Sequence, residues 1–411
     1  MLNMFRKYTA ASAMPTTCVN SCDKEVYQLS DLDHVRRFLS LGTENGTYYI
    51  GEQDLTTQCV NCIDRVLNSD DRDKLVEFVE EYAKGNKCKK PDTLIYLLAS
   101  IVTHKVKESA NNTDLLEFRK KGYELLDLVC PTPTQLFMFI HFCKHLNQKN
   151  NQSNGWNNLH KRAVSKWYNS KSDDKLVYLL TKYKNRHSYE HKDVFRLSHI
   201  VPDGPGKDLI YKYIIKGLAQ LPIESGFKPE TKAVYEYLDT YERLFRATEE
   251  STVVDILINK QKDLCASYAW EHVPTTFLNS AEVLKTLLPN MPKIALLRNL
   301  NRLTRAGVLD DMDSKTIVLK KLQEMTNVHP IQVLITLKMY SKGAGDKGST
   351  SWVPNQAVVD KLSDAFERMF NEITPIKKNV CVALDVSGSM FGTHTVSGAD
   401  CLVAAEVGCA M

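Results

Sequence analysis

Between Tyr178 and His199 the chain reads YLLTKYKNRHSYEHKDVFRLSH. Lys182, Lys184, Arg186, Lys192 and Arg196 fall within fifteen residues, and Tyr183, Tyr189, Phe195 and the histidines 187, 191 and 199 are interleaved with them. Lysine and arginine neutralise phosphates, while flat rings and guanidinium planes stack on unpaired bases. This mixture suits an RNA strand. An isolated basic run is more commonly a solvated helix face, so the distribution of charge matters. The whole chain carries 53 Lys+Arg against 49 Asp+Glu, a net of +4. Residues His160 to Lys216 hold 13 basic and 6 acidic side chains, a net of +7, which leaves about −3 for the remainder. A concentrated basic field attracts polyanions whatever the total charge. If the stretch is helical, Lys182 and Arg186 share one face and Arg196 and His199 share another. His199 has two readings: a ring facing RNA, or a packed core histidine.

A second group of candidate ligands is Asp385-x-Ser387-x-Ser389. The β-branched run Val380–Leu384 precedes it and reads as a buried, parallel strand. One carboxylate and two hydroxyls on a tight loop can place three oxygens on one side of a hard cation such as Mg²⁺. Gly388 lets that backbone turn closely, and Ala399–Met411 reads as a helix. The alternative is a hydroxyl-rich turn that caps a helix. Eleven cysteines, odd in number and irregular in spacing, read as reduced thiols. Cys59-x-x-Cys62 admits zinc, but thiols packed on an apolar helix face are preferred. No phosphate-binding GxxxxGK[ST], nucleophile-elbow GxSxG or HExxH motif occurs, so no enzyme reading competes.

These candidates need elements to position them. At 411 residues, 43% hydrophobic and 25% charged, the chain can build a large core. No apolar run reaches the ~20 residues that span a bilayer, and MLNMFRKYTA lacks the apolar stretch of a secretory signal. Residues 1–30 read as a flexible lead. From Leu32 to about Ile373 amphipathic stripes follow one another: Leu75, Phe78, Val79 and Tyr82, then Leu94, Leu97, Leu98, Ile101 and Val102, and so on past breaks such as Pro131 and Pro133. Strands are expected only near Tyr48 and at Val380–Asp385. Serial helices with short joints predict a mostly α fold, a helical-repeat solenoid of HEAT type.

Several motifs together carry a resemblance: GTYYI, WNNLHKRAVSKWYN, KYKNRHSYEHKDVFRLSH, IALLRNL, HPIQVLITL and LDVSGSM, in this order. The chain resembles the SS-A/Ro ribonucleoprotein family from about Leu32 to its end. The resemblance implies a ring of HEAT-like repeats, the TROVE domain, over residues 31–373, closed by a von Willebrand factor A domain. It implies binding of small noncoding Y RNAs on the outside of the ring and of misfolded RNAs whose single-stranded ends enter its hole, in RNA quality control and not catalysis. It also implies a monomeric ribonucleoprotein, cytoplasmic with the nucleus left open, without DNA or membrane partners. Lys182, Arg186 and His199 match the family's Y RNA motif; Lys184 and Arg196 are added from charge and register. Asp385, Ser387 and Ser389 match the metal-ion-dependent adhesion site of A domains. Residues 379–411 would then be an incomplete A domain, truncated inside its first helix, with an incomplete cation site and weak Mg²⁺ binding. The competing expectation is an α-solenoid protein–protein adaptor without specific RNA binding.

Overall fold

The computed structural model describes all residues except 1–16, 20–22, 43–51, 86, 89, 106–111, 150–155, 222–228, 261–267, 346–348, 373–382, 386, 392–394, 397–398 and 411. The chain divides into two compact units, 1–215 and 216–411.

The first unit opens with β1 (Thr17–Val19) paired antiparallel to β2 (Glu25–Tyr27). The first thirty residues, read as a flexible lead, thus contain a strand pair; Asp23, just before β2, has a positive φ of 56°. Helices follow: α1 (Asp31–Leu41), α2 (Glu52–Leu67), α3 (Asp73–Lys84), α4 (Pro91–Thr103), α5 (Asn112–Glu124), α6 (Leu126–Val129), α7 (Pro133–Lys149), α8 (Asn158–Asn169) and α9 (Asp173–Lys182). The hairpin β3 (Asn185–Arg186) and β4 (Tyr189–Glu190) then leads into α10 (His191–Ser198) and α11 (Pro205–Lys216).

Local chemistry sets many of these boundaries. Ser30, Asn157 and Ser172 sit at N-caps, where their side-chain oxygens accept amide protons from Asp33, His160 and Lys175. Pro91 starts α4, where its missing N–H costs nothing. Gly42 ends α1 at φ 80°, which a residue with a Cβ rarely adopts. The centre of the unit is α4, buried on every side from Thr93 to Thr103 and packed on α7. Leu97 and Leu98 are fully enclosed; each such side chain contributes about 2 kcal/mol of burial. The expected stripe of Leu75, Phe78, Val79 and Tyr82 forms the buried face of α3. Cys59 and Cys62 are buried thiols on α2, and burial, followed by the neighbouring Asp31, raises the Cys62 thiol to about 11.

The second unit holds α12 (Pro229–Phe245), α13 (Glu250–Lys260), α14 (Ala281–Leu287), α15 (Lys293–Arg305), α16 (Met312–Gln323), α17 (Pro330–Lys342) and α18 (Gln356–Met369). Its core forms where α18 packs on α16 and α17. The link Gly343–Trp352 is closed by an Ala344–Ser351 bridge and by Trp352, whose indole N–H donates to the Tyr340 carbonyl at 3.0 Å.

The tail consists of α19 (Gly388–Phe391), β5 (Thr395–Val396), β6 (Ala399–Val403) and α20 (Ala404–Ala410). Ala399–Met411, read as one helix, therefore begins as a strand. The expected strand Val380–Leu384 lies largely outside the described residues, and Ala383–Asp385 are in no strand. The aromatic run near Tyr48 also lies outside them. The described end of the tail is anchored: Leu402 is fully buried against Leu334, and Lys338 pairs with Glu406 at 2.8 Å.

Candidate nucleic-acid interface

The basic stretch is not one helix. α9 ends at Lys182, and Tyr183 is its C-cap. Arg186 is the last residue of β3, opposite Tyr189 in β4. The expectation that Lys182 and Arg186 share a helix face is therefore wrong: the helix stops at Lys182, Arg186 lies in a strand, and a two-residue turn follows it. The residues at that turn, His187 and Ser188, both have positive φ, 49° and 62°. This is the backbone of the reversal that suits a right-twisted hairpin, usually built from Asn and Gly. With His and Ser in those places, hydrophobic periodicity alone could not reveal it.

Buried polar contacts pin the base of the hairpin. His191, the first residue of α10, is 2% exposed. Its Nε2–H donates to the carbonyl of Tyr183 at 2.8 Å, so its Nδ1 accepts from the Tyr168 hydroxyl, 2.9 Å away. One ring thus satisfies a carbonyl at the end of α9 and ties it to the start of α10 and to α8. Phe137, Tyr168 and Phe195 surround it, with ring centroids 4.9, 5.9 and 6.3 Å away. Burial holds this imidazole neutral and lowers its pKa to about 4. Glu190 and Asp193 form a reciprocal capping box at the start of α10. These two carboxylates, next to the basic residues in sequence, therefore serve backbone amides.

On this frame the five expected RNA residues all reach the surface. Lys184, Arg186, Arg196 and His199 are exposed, and Lys182 is half-buried. The Lys182 ammonium lies 5.1 Å from the Tyr183 ring and 5.4 Å from that of Tyr178, with the Tyr178 hydroxyl at 3.3 Å. These contacts place a cation beside two flat rings. Arg196 projects from α10. His199 caps that helix in a left-handed conformation, φ 53° and ψ 42°. The core-histidine reading of His199 is excluded; His191 takes that place.

The density of charge overstated the field. Lys171 is buried and pairs with Asp127, Lys207 pairs with Asp203 at 2.8 Å, and Lys212 pairs with Asp208 at 2.6 Å. Among the described residues no carboxylate pairs with Arg162, Lys166, Arg186 or Arg196. Arg162 and Lys166 are exposed on α8, which packs against α10. Neither had been singled out; the (i, i+4) spacing of two cations on the open face of α8 was the available signal.

The Asp385 loop is built differently. Asp385 and Ser387 are exposed, and the Ser387 amide donates to Asp385 Oδ1 at 2.9 Å. That backbone hydrogen bond, followed by the Ser387 hydroxyl, holds the Asp385 carboxyl below its usual range. The carboxylate is thus turned toward its own loop. Ser389 lies in α19, and its side chain is outside the described set. One carboxylate with neighbouring hydroxyls fits only part of the six-oxygen shell that Mg²⁺ prefers.

The TROVE domain model matches residues 19–235 and 258–338, a span that includes the whole hairpin and α10. The chain belongs to the TROVE domain family. It is 29% identical to RNA-binding protein RO60 of Caenorhabditis elegans, over 94% of this chain and 68% of that protein. It is 30% identical to RNA-binding protein RO60 of Deinococcus radiodurans, over 90% of this chain and 65% of that protein. The chain thus spans about two thirds of the length of these relatives. The crystal structure of the Deinococcus radiodurans RO (RSR) protein superposes with a TM-score of 0.71 at 25% identity, covering 93% of this chain and 72% of that one. The mostly helical, helical-repeat fold is therefore shared with that protein.

Proposed function

We propose that this TROVE-family protein binds RNA through the β3–β4 hairpin and the exposed end of α10. The carrying observation is a set of exposed cations, Lys184, Arg186 and Arg196, displayed with His199 on backbone that the core holds through His191. Lys182 joins them beside two tyrosine rings. Phosphate contacts would come from the lysines and arginines, and stacking or hydrogen bonding from His199 and the guanidinium planes. The names of the two relatives support RNA as the ligand class.

Small noncoding RNAs of the Y type are the finer proposal for this surface, with misfolded noncoding RNAs as a second class of ligand and RNA quality control as the role. The chain acts as a binding protein and not as an enzyme, as a monomeric ribonucleoprotein in the cytoplasm, with the nucleus left open. No helix among the described residues is long and apolar enough to cross a membrane. Mg²⁺ at Asp385, Ser387 and Ser389 is proposed only as a weak ligand of this chain. The experiment is a titration of a structured small RNA at several salt concentrations. An RNA binder loses affinity steeply with salt; an adaptor for protein partners forms no specific RNA complex.

A further inference from the structure

The hairpin that carries Arg186 should not stand unaided. Each strand has two residues, and even a full isolated hairpin is marginal in water. Its two turn residues, His187 and Ser188, occupy the left-handed region without being glycine, a conformation that costs L-residues energy. Something outside the hairpin must hold it.

That support is a stack of histidines on α7, against which β3 packs. The His187 ring lies 4.9 Å from that of His141, nearly parallel at 23°. His141 in turn meets His145, one helical turn on, at 4.3 Å, and Phe142 at 6.2 Å. The His187 Nε2 atom is buried and has no hydrogen-bond partner. A neutral ring tolerates that position; a protonated ring would place an N–H and a charge there with no acceptor.

The surrounding charges oppose protonation. Around His141 stand His145, His187 and Lys144, all of α7 or the turn; around His187 stand Arg186 of β3 and, with opposite sign, Asp92 at the start of α4. Burial and these neighbours lower the affinity of both imidazoles for a proton. In an undocked hairpin the same rings would titrate near 6.5. The undocked form therefore binds more protons, and docking is favoured above that pH and lost progressively below it.

We infer that the His141–His187 stack is a proton-sensitive latch that positions Arg186 for RNA, so that mild acid frees the hairpin from α7 and weakens RNA binding. The inference rests on the hairpin being the RNA surface. It opposes the simpler electrostatic expectation, in which charging histidines near a phosphate chain strengthens binding as pH falls.

The test compares the full chain with His141→Phe, which keeps a flat ring under His187 and removes its proton site, and with His141→Ala, which removes the stack. Affinity for one structured small RNA is measured at pH 7.5 and 5.5 at constant ionic strength, with amide-exchange protection of residues 185–190 in parallel. The wild type should bind about tenfold more weakly at the lower pH, the equivalent of about 1.4 kcal/mol, with protection falling in step. His141→Phe should match wild type at pH 7.5 and lose most of that pH dependence. His141→Ala should bind weakly at both. Wild-type binding that is unchanged or tighter at pH 5.5, or a His141→Phe variant with the wild-type profile, overturns the latch. A chain that binds no RNA at either pH while hairpin protection still falls with acid defeats the RNA reading and leaves the latch standing; constant protection defeats the latch.

Discussion

The two loops singled out by their chemistry differ in what stands behind them. The hairpin between α9 and α10 displays Arg186 on backbone whose base is tied by a buried histidine to two helices. The Asp385 loop leads into a single helical turn, Gly388–Phe391, and its carboxylate is occupied by its own Ser387. Both motifs were equally visible in the sequence. Only the first has its backbone geometry imposed by the core, and that is what lets side-chain types become a site.

The comparison is most severely tested by His191→Ala. The change leaves the Tyr168 hydroxyl and the Tyr183 carbonyl without their partner and opens a cavity among Phe137, Tyr168 and Phe195. Denaturant unfolding should show a loss of roughly 3 kcal/mol, and RNA binding should fall although no RNA-facing side chain has changed. A variant with wild-type stability and affinity would show that the buried tie is dispensable. Asp385→Ala, by contrast, should stay within about 0.5 kcal/mol of wild type.

Acid should act on the same frame. His160 and His191 are buried, and burial lowers both to about 4. Unfolded, each takes up a proton near 6.5. The unfolded state thus binds more protons between pH 6.5 and 4, and stability falls as pH drops through that window. Between pH 7 and pH 5 the loss should be on the order of 1–2 kcal/mol for each of the two histidines. Equal unfolding midpoints at pH 7 and pH 5 would contradict it.

The smallest effect is expected at the other loop. Calorimetric titration of the chain with Mg²⁺ should give weak heats without saturation in the micromolar range, because too few oxygens are available for its shell. Tight, saturable binding would show that the half-site suffices and would narrow the contrast between the two loops.

Much of the fold was legible. The stripe Leu75, Phe78, Val79 and Tyr82 turned up as the buried face of α3 because helical burial follows a simple period. The chemistry of the basic stretch was legible too, since residue types do not depend on geometry. Its shape was not. The reversal at His187–Ser188 uses residues that carry no turn signal, and its left-handed backbone is held by contacts with α7, far away in sequence. Likewise Ala399–Val403 reads as helix by composition but pairs as a strand and buries Leu402 against α17. His191 and His199 could not be separated by sequence: one is the core tie and the other is exposed, and only packing distinguishes them.

The central claim is that exposed cations on a core-held hairpin bind RNA. Its most direct test is the salt dependence of RNA affinity for wild type beside Lys182→Ala/Arg186→Ala, with unfolding curves to show that the fold is intact. The account predicts a loss of roughly tenfold or more in affinity for the double variant at moderate salt. It also predicts a log–log salt slope shallower by about two, near 0.9 for each phosphate contact removed. A folded double variant with the wild-type affinity and slope would contradict it.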